Sequence, residues 1–318
     1  MLCLLSVMQY RQETMHKFRR SPISIDDNLD SVRKGLHEEQ RFFLDAEKDS
    51  LRNAFKSYDA HASTDPVSLE KLQPLWIDLP ADTTDQKSCK KEKRDRSFSL
   101  YGSSRPFVNS HWEFLKKVNG GGVLMCPICG LEECTEMDHY MPRSIFHEYA
   151  SHVGNLIPLC HDCNIDKHNY WLDSHGNRYF FNAFYDKLPA HIIECSISMF
   201  MGLPKVTLKI SPSLDKGVYS DAVVLRTIHK LGLMSRFQIR ADDIFRNEIV
   251  RLRADYSVQK ANYKNDRKAF WNARAELFKT YVSLTEGFSF LHKEIYNAMA
   301  NSADMEGWVV NSRDFCAS

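Results

Sequence analysis

Two pairs of cysteines in the middle of the chain have the spacing of metal ligands. Each pair leaves two residues between its thiols and thirty residues separate the pairs; the four residues are Cys126, Cys129, Cys160 and Cys163. A Cys-x-x-Cys turn directs both sulfurs at one ion, and two such turns complete the tetrahedral four-sulfur site that suits Zn²⁺. Because a four-thiolate site has no open position, we expect a structural zinc ion rather than a catalytic one.

The residues between and just after these pairs are of the types that phosphodiester hydrolysis requires. The reaction needs a base to activate water and a cation at the phosphate, both in fixed geometry. His139 suits the base, because the ordinary pKa of imidazole, about 6.5, lies near neutrality. Its neighbour Asp138 points to another side and carries the carboxylate that Mg²⁺ or Mn²⁺ binds. Asn164 and His168 are four residues apart on a predicted helix, so both would face the same ion.

Taken in order, these motifs are similar to those of the HNH endonuclease family, in the form whose ββα-metal core is braced by a four-cysteine zinc. The similarity is close from Cys126 to Trp171 and looser to Leu188. The matching motifs are Asp138-His139 followed by Pro142, then Asn155-Leu-Ile-Pro-Leu-Cys160-x-x-Cys163-Asn164, then Lys167.

The resemblance implies a role for each of these residues. His139 is the general base, Asp138 and Asn164 bind the catalytic Mg²⁺ or Mn²⁺, and Asn155 orients the loop of the base. His168 matches an additional ligand of some members; its alternative is a solvated or phosphate-contacting residue. We expect double-stranded DNA as the substrate, with RNA as the alternative, and the resemblance implies 5′-phosphate and 3′-hydroxyl ends. One such site cuts one strand, so a double-strand break needs a homodimer, two events or a partner.

The flanking regions are expected to be mainly helical, which makes the chain an α+β protein. We predict an N-terminal helical region with a basic loop over 1–106, the nuclease core with its zinc knuckles over 107–200, and a C-terminal helical docking region over 201–318. The predicted elements are a helix over 26–57, a short helix over 107–118 that Gly120–Gly122 end, a strand over 206–210, and helices from Asp221 that stop near Gly232 and resume at Asp242 or Asp243 until about Val282.

Charge is segregated along the chain. The total of 42 basic and 41 acidic residues gives a formal net charge of +1, which excludes a uniformly basic coat. The segment from Cys126 to Trp171 is acidic, with two basic and seven acidic residues. Lys87–Arg96 is basic and forms either a solvated loop or an arm that contacts phosphate. Arg236–Lys279, with eleven basic and six acidic residues, is either a surface that follows phosphates or a solvated amphipathic helix.

Other residues near the motifs carry weaker signals. Arg143 and Lys167 either contact phosphate or are solvated. Cys134 breaks the ligand spacing, so we expect a small buried residue. The remaining histidines of the region are expected to be packing or surface residues; they are His147, His152, His161 and His175.

The location and partners are inferred from absences and from the resemblance. No run of 18 apolar residues is present, which predicts no membrane contact, and nine cysteines without an export signal favour the reducing cytoplasm. Proteins similar to this one often serve in bacterial antiviral defence or restriction, which implies an ATPase or sensor partner. The alternative is a zinc-braced nucleic-acid-binding or ATPase-partner subunit without cleavage of its own.

Overall fold

The computed structural model describes residues 18–315, except 103, 120–122, 190 and 284–289. The predicted glycine break over 120–122 lies outside the described residues. Two compact units are formed, one by residues 18–188 with Lys216–Leu231 and the other by Pro189–Asp215 with residues 232–315. The division into three functional regions at 106 and 200 stays a prediction, because compactness does not test it. In the described part of the chain, no helix is both long and apolar enough to span a membrane.

The first unit begins with α1 (Ile25–Lys34) and α2 (Glu38–Thr64). The single helix predicted over 26–57 is therefore wrong, since the chain breaks after Lys34. Gly35 caps α1, and a Cβ atom there would lie 2.8 Å from the ring of Pro106. A side chain at position 35 would therefore clash with a residue far away in the sequence.

The basic segment Lys87–Arg96 is not a loop, because it lies within α3 (Thr84–Phe98). Thr83 and Gln86 form a capping box at the start of this helix. Five of its six cations, all except Lys87, pair with carboxylates of the same unit rather than being left for phosphate. The ion pairs are Lys90–Asp82, Lys91–Asp95, Lys93–Glu47, Arg94–Asp78 and Arg96–Glu92.

A hairpin and a short helix follow α4 (Pro106–Asn119), which confirms the short helix predicted over 107–118. Strands β1 (Glu136–His139) and β2 (Leu156–Leu159) pair antiparallel, with His139 opposite Leu156. Helix α5 (His161–Lys167) starts directly after β2 and packs on β1. This is the expected ββα arrangement.

A buried arginine fixes the chain that follows the ββα segment. Arg178 is fully buried and forms two hydrogen bonds with the carboxylate of Asp186, each 3.0 Å long. It also donates to the hydroxyl of Tyr140, next to His139, over 2.6 Å. Helix α6 (Tyr219–Lys230) completes the unit, and Arg226 of this helix donates to the carbonyl of Arg178.

In its described residues, the second unit is a hairpin packed on four helices. Strands β3 (Ile193–Phe200) and β4 (Leu203–Ile210) pair antiparallel, which confirms the strand predicted over 206–210. One face of the hairpin is buried through Val206 and Leu208. The helices are α7 (Leu233–Gln259), α8 (Arg267–Ser283), α9 (Phe290–Asn301) and α10 (Ala303–Asn311).

The helix predicted from Asp242 or Asp243 to Val282 is wrong at its start and in its continuity. The chain turns at Gly232, whose φ is +57°, and α7 begins immediately afterwards, so Asp242 lies inside it. A turn separates α7 from α8, and Lys264 and Asn265 have positive φ there.

The basic segment Arg236–Lys279 does not form one continuous exposed surface. Tyr256 and Trp271 are buried in the core of the unit. Arg274 pairs with Asp255 at 3.0 Å. Arg267 donates to two backbone carbonyls after α10. These side chains stabilise the unit itself, which leaves fewer of them for phosphate.

Candidate active site

The four predicted zinc ligands converge beside the ββα segment. All four sulfurs lie within 4.8 Å of one another and are buried, and Cys129 Sγ is 3.7 Å from Cys160 Sγ. Tetrahedral Zn–S bonds of about 2.3 Å require sulfur–sulfur edges of roughly 3.8 Å. The cluster therefore fits a structural zinc ion. Cys134 is buried nearby, as expected of a small packing residue, and is outside the quartet.

Asp138 faces α5, where it meets a buried cation. Lys167 Nζ lies 2.7 Å from Asp138 Oδ2, and Lys167 is only 1% exposed. The same ammonium donates to the backbone carbonyl of His139 over 2.8 Å. Lys167 is therefore neither a solvated residue nor a free phosphate contact. Asp138 Oδ2 is sealed from solvent, whereas Oδ1 is accessible and keeps its lone pairs for another partner.

His139 is turned the other way, as the strand alternation predicts. Its Nε2 donates to the backbone carbonyl of Ala150 over 2.9 Å, which places the free lone pair of the neutral ring on Nδ1. Burial lowers the pKa of His139 to about 4, while the Asp138 carboxylate and the Ala150 carbonyl act in the opposite direction. At neutral pH the ring is uncharged and able to accept a proton.

Accessibility separates His139 from the two other buried histidines among the described residues of this unit. His111 and His152 also use Nε2, against the carbonyl of Leu156 and the carboxylate of Asp59. Their Nδ1 atoms are sealed and have no partner, whereas Nδ1 of His139 is not sealed. His139 is therefore the buried histidine of the three that can still reach a ligand.

Asn155 holds the chain after His139 in place by hydrogen bonds. Its side-chain oxygen accepts from the Met141 amide over 2.7 Å, and its amide nitrogen donates to the carbonyls of Met141 and Tyr149. Asn155 itself is fully buried. These bonds link the loop that follows His139 to the segment that carries Ala150, in keeping with the predicted orienting role.

Asn164 and His168 do not share a helix face as predicted. Asn164 lies on α5, and its amide nitrogen donates to the carboxylate of Glu136. The helix ends at Lys167, and His168 is the exposed residue after it, with φ +45°. The backbone N–H of His168 still donates to the carbonyl of Asn164 over 3.0 Å, but the positive φ takes His168 out of the helix, so a shared helix face is not formed. Whether His168 binds an ion stays a prediction.

Two further residues next to Asp138 and His139 escaped the sequence reasoning. Tyr101 contacts the His139 ring edge-on, with centroids 4.4 Å apart, and its hydroxyl donates to the carbonyl of Met137. Glu136 accepts from Asn164 and also lies 2.6 Å from Nδ1 of the exposed His161. Glu136 lies two residues before Asp138 on β1, on the same strand face, a signal that strand periodicity carries.

Residues 126–170 match the family model described as HNH endonuclease. The chain carries an HNH endonuclease domain. The match confirms the resemblance inferred from the motifs, and it covers both cysteine pairs together with β1, β2 and α5. No curated protein and no solved structure matches the chain.

The HNH domain presents hard oxygen donors of the kind that bind Mg²⁺ or Mn²⁺. Asp138 Oδ1 is accessible, and the side-chain oxygen of Asn164 is the half of its amide that Glu136 does not hold. The thiolates of the zinc cluster are a separate, softer donor set. The donor chemistry therefore fits two different ions with two different roles.

Proposed function

We propose that the protein is a metal-dependent endonuclease that hydrolyses phosphodiester bonds of double-stranded DNA. One observation carries this proposal: on β1, a neutral imidazole with an accessible Nδ1 adjoins a carboxylate with an accessible oxygen. The proposed general base and the proposed metal ligand are therefore consecutive residues. The Ala150 carbonyl holds His139, and the Lys167 ammonium holds Asp138.

Each residue then has a defined task. His139 Nδ1 takes a proton from the attacking water, while the Ala150 carbonyl holds the ring by Nε2. Asp138 and Asn164 would hold Mg²⁺ or Mn²⁺, with His168 as a third ligand. A bound divalent ion supplies positive charge at the phosphate and at the leaving oxygen. Asn155 keeps the loop of the base in place through its three hydrogen bonds.

Plasmid cleavage tests this proposal. The wild-type protein is incubated with supercoiled DNA and Mg²⁺ or Mn²⁺, beside His139→Ala and the matched variant His175→Ala, which alters an exposed histidine. We expect wild type and His175→Ala to nick the plasmid and His139→Ala to be slower by about 10²–10⁴-fold. If wild type and His139→Ala nick the plasmid at the same rate, the nuclease proposal fails and the protein is a zinc-braced binding subunit. Duplex RNA in the same assay tests the choice of DNA.

We also propose a role in bacterial antiviral defence or restriction, in the cytoplasm and with an ATPase or sensor partner. The support is the resemblance to proteins of such systems. Purification of the native complex identifies a partner, and sedimentation of the pure protein decides between a monomer and a homodimer. A protein that purifies alone and leaves phage growth unchanged would remove this role.

A further inference from the structure

Two aromatic rings hold the guanidinium of Arg143, four residues after His139. Its central carbon lies 4.1 Å from the ring centroid of Phe98 and 4.9 Å from that of Tyr101. The side chain is half-buried. Within the described residues, no carboxylate lies within 4.0 Å of this guanidinium and no acceptor takes a hydrogen bond from it. The cation is therefore positioned by stacking, with its N–H donors unused.

Other arginines of the same unit are in a different situation. Arg178 is buried against Asp186, and Arg94 on α3 pairs with Asp78 at 2.8 Å. Arg96, close to Phe98, pairs with Glu92 at 2.9 Å. These guanidinium groups are already paired with carboxylates, whereas that of Arg143 forms no ion pair within the described residues.

The position of Arg143 relative to the base is fixed by Tyr101. One ring contacts both groups: its centroid is 4.4 Å from that of His139 and 4.9 Å from the Arg143 guanidinium carbon. The tyrosine is anchored in turn by its hydrogen bond to the carbonyl of Met137 on β1. Because both groups contact the same ring, an anion bound by Arg143 would lie in the neighbourhood of the imidazole.

We propose that Arg143 binds a phosphate of the DNA beside His139. This inference rests on the proposed function. It names the residue whose positive charge contacts the negatively charged phosphate of the substrate. A planar guanidinium offers paired N–H donors that match two phosphate oxygens, and stacking on rings keeps that fork oriented. Such a residue is needed because the segment from Cys126 to Trp171 has five more acidic than basic residues and repels a polyanion.

Salt-dependent binding separates this role from a structural one. Labelled duplex DNA is titrated with His139→Ala protein, which is expected to cleave far more slowly than wild type, and with the same protein carrying Arg143→Ala. We expect Arg143→Ala to weaken binding and to lower the slope of log Kd against log salt by about 0.9, the loss of one phosphate contact. Arg96→Ala is the matched control, because this arginine is already paired, and should leave the slope unchanged.

Cleavage kinetics give the second measurement, on protein with His139 intact. Arg143→Ala should lower kcat/KM by about 100-fold. If Arg143 holds the scissile phosphate, the loss should appear as a lower kcat. If it holds a flanking phosphate, the loss should appear as a higher KM. Added guanidinium ion should restore part of the rate, which a packing role would not allow. Arg143→Lys keeps the charge and covers the case in which the alanine variant does not fold.

An unchanged salt slope together with an unchanged kcat/KM would overturn the role of Arg143. That result is distinct from failure of the proposed function, in which the wild-type protein itself does not cleave. A protein that binds DNA with an Arg143-dependent slope but never cleaves would keep the phosphate contact and lose the nuclease.

Discussion

Lys167 Nζ lies 2.7 Å from Asp138 Oδ2, and both groups are removed from solvent at this contact. A buried charge that loses its partner is strongly unfavourable. We therefore expect Lys167→Met to destabilise the protein by about 3–5 kcal/mol, measured by urea unfolding with zinc present. The double variant Asp138→Asn/Lys167→Met should recover part of the loss, because it removes both charges.

Lys91→Met is the matched control for this experiment. Lys91 forms an i, i+4 pair with Asp95 on α3, and both side chains are exposed. Exposed pairs contribute little to stability, so its unfolding curve should overlay that of the wild type. A Lys167→Met protein as stable as Lys91→Met would mean that Asp138 does not depend on this cation.

The zinc cluster should account for one zinc ion per chain. Cys163→Ser removes one of the four converging sulfurs and should abolish bound zinc, measured by atomic emission, and the cooperative thermal unfolding of the first unit. Cys89→Ser, at an exposed cysteine of α3, should keep both. Cys134→Ala should also keep the zinc, and zinc loss in that variant would place Cys134 among the ligands.

Glu136 should control the affinity for the catalytic ion by orienting Asn164. Glu136→Gln weakens the acceptor that holds the Asn164 amide, and loss of such a support typically costs 10–100-fold in metal affinity. The measurement is a Mn²⁺ titration followed by electron paramagnetic resonance, in the His139→Ala background. Asp166→Asn alters an exposed carboxylate of the same helix and should bind Mn²⁺ like the parent. Equal affinity for both variants would contradict the orienting role.

Glu148 should make stability fall as the pH rises through neutrality. Its carboxyl group is buried, with one oxygen accepting from the Leu75 amide and the other without a partner. Burial raises its pKa to about 7 from an ordinary 4.5. The folded state therefore binds a proton more tightly than the unfolded state, so this contribution is complete below pH 4.5 and is lost as the pH rises through 7.

The variant Glu148→Gln isolates this contribution. Its free energy of unfolding relative to wild type should rise by on the order of 3 kcal/mol between pH 4.5 and pH 8, measured by urea titration at each pH. Glu39→Gln, at an exposed position of α2, should show no such change. A constant difference between wild type and Glu148→Gln across this range would show that Glu148 does not titrate on folding.

The parts of the site that could be predicted from the sequence are those that depend on the spacing of residues close together in the chain. The cysteine quartet follows from two Cys-x-x-Cys turns, and the divergence of Asp138 and His139 follows from the alternation of a strand. Asn164 and His168 do not share a helix face, because α5 ends at Lys167. A spacing of four residues does not determine where a helix ends.

The parts that could not be predicted depend on contacts between distant segments. Gly35, which caps α1, lies against the ring of Pro106, and Lys93 pairs with Glu47 on α2. Arg143 is oriented by rings more than forty residues earlier in the chain. Charge counts along the sequence indicated basic segments but carried no information on which cations are already neutralised in the fold.

The order of the zinc ligands along the chain has a consequence during protein synthesis. Cys126 and Cys129 precede Asp138 and His139, whereas the second pair follows them and Cys160 leads directly into α5. A ribosome therefore releases Asp138 and His139 before the sulfurs and the helix that complete their surroundings. A translation product interrupted before Cys160 lacks the second cysteine pair and α5, so it cannot assemble the four-sulfur cluster beside these two residues.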